Sequence, residues 1–214
     1  SYEFRYKYKN SWGEVKRVGS KELVMWESKD LIHWSEQKML PIGTPDFGCM
    51  WAPDIIFDKK EGDYIIHWSS SHKDTNYDPM CIYYSRTKDF ETFSEPKLFF
   101  TKDNEILDSH IRKFGDTYHL FYKNAEKPPM NMHATSKNLY GPFEHDEKFE
   151  EYMDKEIYHP GSYEGPTTYT LPDGKWCLML DFFGCEKEKM GYVPFVSSAP
   201  GDMNFTKCLE SFSF

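Results

Sequence analysis

A unit of about fifty to sixty residues recurs along the chain, and such a repeat restricts the fold more than any other feature. One copy begins "WAPDIIFDKKEGDYIIHWSSS" and continues "MCIYYSRTKDFETFSE". The next begins "LDSHIRKFGDTYHLFYKN" and continues "MNMHATSKNLYGPFE". A third begins "EGPTTYTLPDGKWCLMLDFF" and continues "YVPFVSSAPGDMNFTK". Each reads as a strand, a Gly turn, an aromatic strand, a loop, a third strand ending in Ser, and a short segment closing on an aromatic. The closing aromatics are Phe93, Phe143 and Phe205, and an earlier half copy, "KELVMWESKDLIHWSE", closes on Trp34. Their spacings, 59, 50 and 62 residues, suit four-stranded sheets with long connections.

Long stretches of 3.6-residue periodicity are few. Short aromatic or β-branched runs dominate instead: "YEFRYKYK", "ELVMW", "DYIIHWSSS", "CIYYS", "TYHLFYKN", "KWCLMLDFF" and "YVPFVSS" all read as strands between Gly, Pro, Asp and Lys turns. Many short strands point to a sandwich, barrel or propeller, and the repeat selects the all-β propeller, whose sheets close radially around a channel. Three nearly complete blades and part of an earlier one are expected.

Composition narrows the partners. Aromatics make up 18% of the 214 residues, which suits strands and surfaces that stack on sugars. The formal charge of -9 disfavours nucleic acid, whose binding rests on Lys and Arg. No apolar run reaches the ~18–20 residues of a membrane span, and the first residues lack the apolar core of a leader. Localisation stays open, since a removed leader is compatible with the start. The cysteines Cys49, Cys81, Cys177, Cys185 and Cys208 show no CxxC spacing and read as buried free thiols. The histidines show no HExxH-type spacing, so no transition-metal site is expected.

The acidic residues fall on the repeat. Asp54 lies 10 residues before Tyr64, Asp108 lies 10 before Tyr118, and Glu164 lies 12 before Trp176. This count predicts three carboxylates in register at the starts of first strands, converging on one mouth of the channel. Gathered carboxylates repel, which raises at least one pKa. Glycosidic cleavage uses such a group, with one acid protonating the leaving oxygen and one carboxylate activating water. The structural alternative is that each acid caps a turn or strand.

"SKDLIHW", "MWAPDI", "ILDSHI" and "YEGP", in that order, resemble signature segments of glycoside hydrolase family 43 across essentially the whole chain. The resemblance implies a five-bladed β-propeller and inverting hydrolysis of α-L-arabinofuranosyl or β-xylosyl linkages in plant cell-wall-type glycans. It makes Glu164 the general acid and Asp108 the residue that orients the acid and tunes its pKa. Trp51 and Asp54, in "WAPD", are expected to line the sugar pocket. The general-base Asp is expected upstream of "SYEFRYKYKN" and so absent from the chain, and Asp46, in "GTPDFG", carries no mark of a substitute. Ser109 stands where the family often has Pro. The chain is thus read as an incomplete propeller: 1–36 a remnant of the first blade, 50–100 the second, 106–146 the third, 162–212 the fourth, and the fifth absent. No cofactor is required on this reading, though a structural calcium in the channel of the full-length protein is compatible with the family.

Further candidates are weighed against packing roles. Trp51, Trp68, Phe182 and Phe183 are pocket-wall or core aromatics, and Asp181 is a sugar contact or a turn cap. His110 should share a strand face with Asp108, as a site residue or a structural histidine. Lys123 is a partner for a site carboxylate or a solvated lysine. Two rival readings remain: a non-catalytic glycan-binding propeller lacking its base, and a related phosphorylase. The phosphorylase would need a basic phosphate pocket, and no Arg cluster adjoins the three acids. The sugar, exo against endo cleavage, and oligomeric state are not legible.

Overall fold

The computed structural model describes residues 12–125, 130–153, 162–183 and 191–208. The segment "YEFRYKYK" and Cys185 lie outside them. Two compact units divide the chain, 1–103 and 104–214.

The first unit opens on a short helix, α1 (Trp12–Val18), followed by a two-stranded sheet of β1 (Leu23–Met25) and β2 (Lys38–Leu40). The sequence gives no periodic signal for α1, because seven residues complete only two turns. A four-stranded antiparallel sheet follows: β3 (Trp51–Asp58), β4 (Asp63–Ser70), β5 (Cys81–Thr87) and β6 (Lys97–Phe100), paired in chain order. Its central strands bury aromatic and aliphatic side chains. Trp68 is fully buried among Leu23, Leu40, Ile42, Phe47, Met50 and Ile66. Of the two roles open to Trp68, core packing is the one it fills.

The second unit holds two further four-stranded antiparallel sheets. One runs β7 (Ile106–Phe114), β8 (Thr117–Asn124), β9 (Met130–Ser136) and β10 (Glu144–His145). A helix, α2 (Glu147–Tyr152), then leads to β11 (Ser162–Thr170), β12 (Trp176–Phe183), β13 (Gly191–Ser197) and β14 (Thr206–Lys207). Phe121, Phe149, Trp176, Phe182, Phe195 and Phe205 belong to one buried cluster. Burying a large aromatic of this kind contributes ~2–3 kcal/mol each.

The repeat has a local cause. After the third strand the chain turns on a hydroxyl and a side-chain oxygen. Thr87 Oγ1 accepts from the Phe90 amide at 2.9 Å, and Asp89 Oδ1 accepts from Glu91 and Thr92 at 2.9 and 2.8 Å. Ser28 and Asp30 do the same for Leu31, Ile32 and His33. Such bonds hold Asp89 down to about 2, its backbone donors being the main cause. The turn throws Leu31 and Phe90 into positive φ, 61° and 57°. The closing aromatic follows three residues later in each, at Trp34 and Phe93.

A buried polar chain ties α2 to its sheet. Asp146 caps α2 through the Phe149 amide, and its Oδ2 accepts from His133 Nδ1 at 2.8 Å. That bond leaves His133 Nε2 as an acceptor, so the His119 Nδ1–H, 3.0 Å away, donates to it. Burial, then His133, push the His119 imidazole down to about 4. A depressed histidine stabilises the fold fully above its unfolded value of 6.5 and ceases to do so as pH falls toward the folded value. Thermal midpoints should therefore drop between pH 6.5 and about 4, and His119→Gln should make that slope shallower in a calorimetric pH series.

Candidate active site

Each of the three four-stranded sheets carries a β-bulge in its first strand, which is an edge strand. In β3 the register jumps between Trp51 and Asp54, so Ala52 and Pro53 face Trp68 alone. In β7 it jumps between Leu107 and His110, and Asp108 and Ser109 face Tyr122. In β11 it jumps between Glu164 and Thr167, and Gly165 and Pro166 face Leu180. The first residue of each bulge has positive φ: Ala52 at 44°, Asp108 at 54° and Gly165 at 58°. A left-handed first residue bends the strand and re-aims its side chains. Asp tolerates this conformation better than most residues, and Gly tolerates it freely.

This register corrects the predicted alignment of the acids. Matched by their bulges, the segments read Trp51-Ala52-Pro53-Asp54, Leu107-Asp108-Ser109-His110 and Glu164-Gly165-Pro166-Thr167. Glu164 precedes its bulge, Asp108 opens its bulge, and Asp54 follows its own. Counting from the second strand misleads because the hairpins differ in length. Asp58 pairs with Asp63 across four residues, whereas Phe114 pairs with Thr117 across two. The same alignment explains the proline pattern: the second bulge position sits outside the ladder, where a missing N–H costs nothing.

In the second unit the bulges bring three carboxylates and one ammonium together. Asp181 lies directly opposite Glu164 on β12. The Gly165 amide donates to Asp108 Oδ2 at 3.2 Å, tying the β11 bulge to the β7 bulge. Lys123, opposite Leu107 on β8, donates from Nζ to Glu164 Oε2, and its ammonium lies 4.8 Å from the Phe183 ring centroid. Burial, then Glu164, push the Asp108 carboxyl up, while Lys123 and the Gly165 amide pull it down. Asp181 is also raised, by burial and then by Glu164, against Lys123. Both aspartates therefore give up their protons less readily than a free aspartate does.

The remaining candidates separate. His110 is buried, and its Nε2 accepts the Thr168 amide at 2.8 Å beside Thr168 Oγ1 at 2.9 Å. That nitrogen is committed to a strut between β7 and β11, so His110 holds the bulges together rather than presenting Nε2 to a ligand. Of the two roles open to Phe182, alternation gives it the core one: it joins the buried cluster, 4.8 Å from the Tyr163 ring centroid. Phe183 shares the face of Asp181 and meets Lys123 instead. Lys123 is the residue whose weight the sequence underrates, since a lysine after "LFY" carries no signal of burial. In the first unit Trp51 meets Trp12 edge-on at 5.9 Å, and Asp54 stands 3.9 Å from the buried His67 Nε2. Asp46 is bound to Lys73 at 2.5 Å on the surface. Among the described residues no group of three or more His, Cys, Asp or Glu is placed to hold a metal ion. The described cysteines, Cys49, Cys81, Cys177 and Cys208, are free thiols.

Comparison with known proteins gives the family and the fold. The family model described as "Probable glycosyl hydrolase domain", the glycosyl hydrolase 43-related family, matches residues 3–214. An alpha-L-arabinofuranosidase of Bifidobacterium longum subsp. longum is 27% identical over 133 residues, covering 54% of this chain and 12% of that protein. The chain thus spans about an eighth of that relative's length. A thermostable family-43 glycoside hydrolase shares the fold, with a TM-score of 0.62 at 19% identity over 92% of this chain and 66% of its own. An exo-1,5-alpha-L-arabinanase from a bovine ruminal metagenomic library has a TM-score of 0.61 at 18% identity, over 87% and 68% of the two chains.

Two substitutions test the site's physics. A carboxyl with a raised folded pKa stabilises fully below its unfolded value of 3.8 and loses that contribution as pH rises through the folded value. Asp108→Asn keeps a residue suited to positive φ and an oxygen for the Gly165 amide. It should therefore raise the thermal midpoint at pH 7, by about 2–4 °C per kcal/mol gained, with the gain vanishing below about pH 4. Gly165→Ala should lower stability by about 1–2 kcal/mol in chemical denaturation. A Cβ there meets only Asp181 Cβ, at 4.0 Å, so the cost lies in the backbone.

Proposed function

We propose, since the chain belongs to the glycosyl hydrolase 43-related family, that Glu164 is the proton donor of an inverting glycosidase. The convergence of Asp108, Glu164 and Asp181 on one buried lysine carries this reading. Asp108 orients and tunes the donor: its carboxylate accepts from the amide next to Glu164, and its charge opposes a second charge there. Asp181 and Phe183 line the sugar side of the donor within the second unit, and Trp51 and Asp54 are kept, for the first unit taken by itself, as candidate sugar contacts. His110 positions β11 against β7.

The preferred substrate is an α-L-arabinofuranosyl linkage of a pentose glycan, with the β-xylosyl linkage second. The arabinofuranosidase and arabinanase among the similar proteins support that order. The three four-stranded sheets and the β1–β2 pair belong, on this reading, to a five-bladed propeller. The general base is assigned to none of the 214 residues. No step requires a metal or organic cofactor.

In the reaction the protonated donor delivers its proton to the leaving oxygen as the glycosidic bond breaks, and the base takes a proton from the attacking water. An inverting pair needs about 6.5–9.5 Å between its carboxyls to admit that water. Glu164→Gln in the full-length protein should lower turnover of an unactivated arabinofuranoside by about 10²–10⁴-fold. A dinitrophenyl glycoside, which leaves without protonation, should lose far less. Near-normal turnover of the unactivated substrate would sink the assignment.

A second reading, a glycan-binding module without hydrolysis, draws on the Lys123–Glu164 ion pair, which engages the donor carboxyl. Calorimetric titration with arabino-oligosaccharides separates the two: binding with no turnover in the full-length protein selects the module.

A further inference from the structure

Lysine is almost never buried without a partner, and Lys123 retains only 8% of its surface exposure. It sits one residue from the end of β8, flanked by Leu107 on β7 and Asn131 on β9. Its ammonium reaches β11, where it donates to Glu164 Oε2, and it rests against the Phe183 ring of β12. Among the described residues it acts with the carboxylates Glu164, Asp108 and Asp181, and its charge acts on both aspartates. Matched by bulge register, Lys123 occupies in its sheet the position that Asp181 occupies in the next, since each lies opposite the residue preceding the bulge. The two sheets thus place opposite charges at equivalent steps, with Glu164 beside both.

A neutral carboxyl accepts through its carbonyl oxygen and donates through its hydroxyl. With Oε2 accepting from Lys123, the proton of the acid form belongs on Oε1. We propose that Lys123 is a positioning residue for proton transfer. It fixes Oε1 as the proton-bearing oxygen of Glu164, and it neutralises the carboxylate that forms as the proton leaves. This inference rests on Glu164 being the donor.

The proton passes from Oε1 to the glycosidic oxygen, the bond from that oxygen to the anomeric carbon breaks, and the electron pair stays on the oxygen. Water adds to the anomeric carbon and gives its proton to the base carboxylate. Glu164 ends as an anion between Asp108 and Asp181. Lys123 supplies the positive charge where that anion develops, in a half-buried site where such stabilisation is strong. Removing the ammonium leaves a donor that resists ionisation and transfers its proton late.

The test uses Lys123→Met and Lys123→Arg in the full-length protein, with aryl α-L-arabinofuranosides of graded leaving-group acidity. Lys123→Met should lower kcat on the phenyl glycoside about tenfold or more, within the range for general acid catalysis, and on the 2,4-dinitrophenyl glycoside by less than about threefold. Its alkaline pH limb should move to higher pH, while Lys123→Arg keeps the limb near that of the wild type. The double variant K123M/E164Q should be no slower than E164Q alone, because the two act as one unit. Equal losses on both glycosides, or losses that multiply in the double variant, overturn the proposal and make Lys123 a packing residue. Should E164Q hydrolyse the phenyl glycoside at the wild-type rate, the donor assignment falls instead, and Lys123 with it.

Discussion

Two residues facing one across an edge-strand ladder is the constraint on which the site depends. An antiparallel pair without a bulge alternates its side chains strictly, so neighbours in sequence point to opposite faces. The bulges of β7 and β11 break that alternation at Asp108 and Gly165, both at positive φ. The break lets the Gly165 amide leave its own ladder and donate to Asp108. It also leaves Glu164 as the last paired residue before the irregularity, opposite Asp181. Without the bulges, these groups would follow the pleat.

The bulges hold because the strands around them are anchored. Beyond the irregularity, His110 and Thr168 lock β7 to β11 through a buried imidazole. Behind β11 and β12, alternation sends Tyr163, Leu178, Leu180 and Phe182 into the aromatic cluster. Asp181 and Phe183 are left on the opposite face. The same period of two that buries the core therefore presents the site. Against the same cluster, the chain from His119 through His133 to Asp146 satisfies polar atoms that burial would otherwise penalise.

Most of this fold is legible in the sequence because its signals are local. The hydroxyl-and-carboxylate turns after β5 and before Trp34 use side chains a few residues apart, so "TKDFETF" and "SKDLIHW" betray them directly. The paired aromatic strands announce themselves by alternation. The site is less legible, since its register is set by hairpin length and by bulges. Counting residues put Asp54, Asp108 and Glu164 at one step, whereas strand pairing puts them at three. Phe182 and Phe183 look alike in sequence, and only the parity fixed by the Glu164–Asp181 pair separates them. Lys123 illustrates a deeper limit. Nothing in "HLFYKN" distinguishes a buried ammonium from a solvated one, because its partner lies 41 residues away on another sheet.

Charge balance explains why such a lysine belongs there. Three carboxylates around one half-buried point repel one another, and burial alone already raises Asp108 and Asp181. A neutral side chain at position 123 would let the fold relieve that repulsion by keeping protons on the acids. A single ammonium offsets one negative charge and leaves the others to compete for protons, which is the condition a proton donor needs. Placing the cation on a central strand rather than a loop fixes its reach, since β8 is paired on both sides. Burial and the neighbouring charge of Glu164 make an ionised Asp108 costly to the fold, and the bulge holds its carboxyl there against that cost.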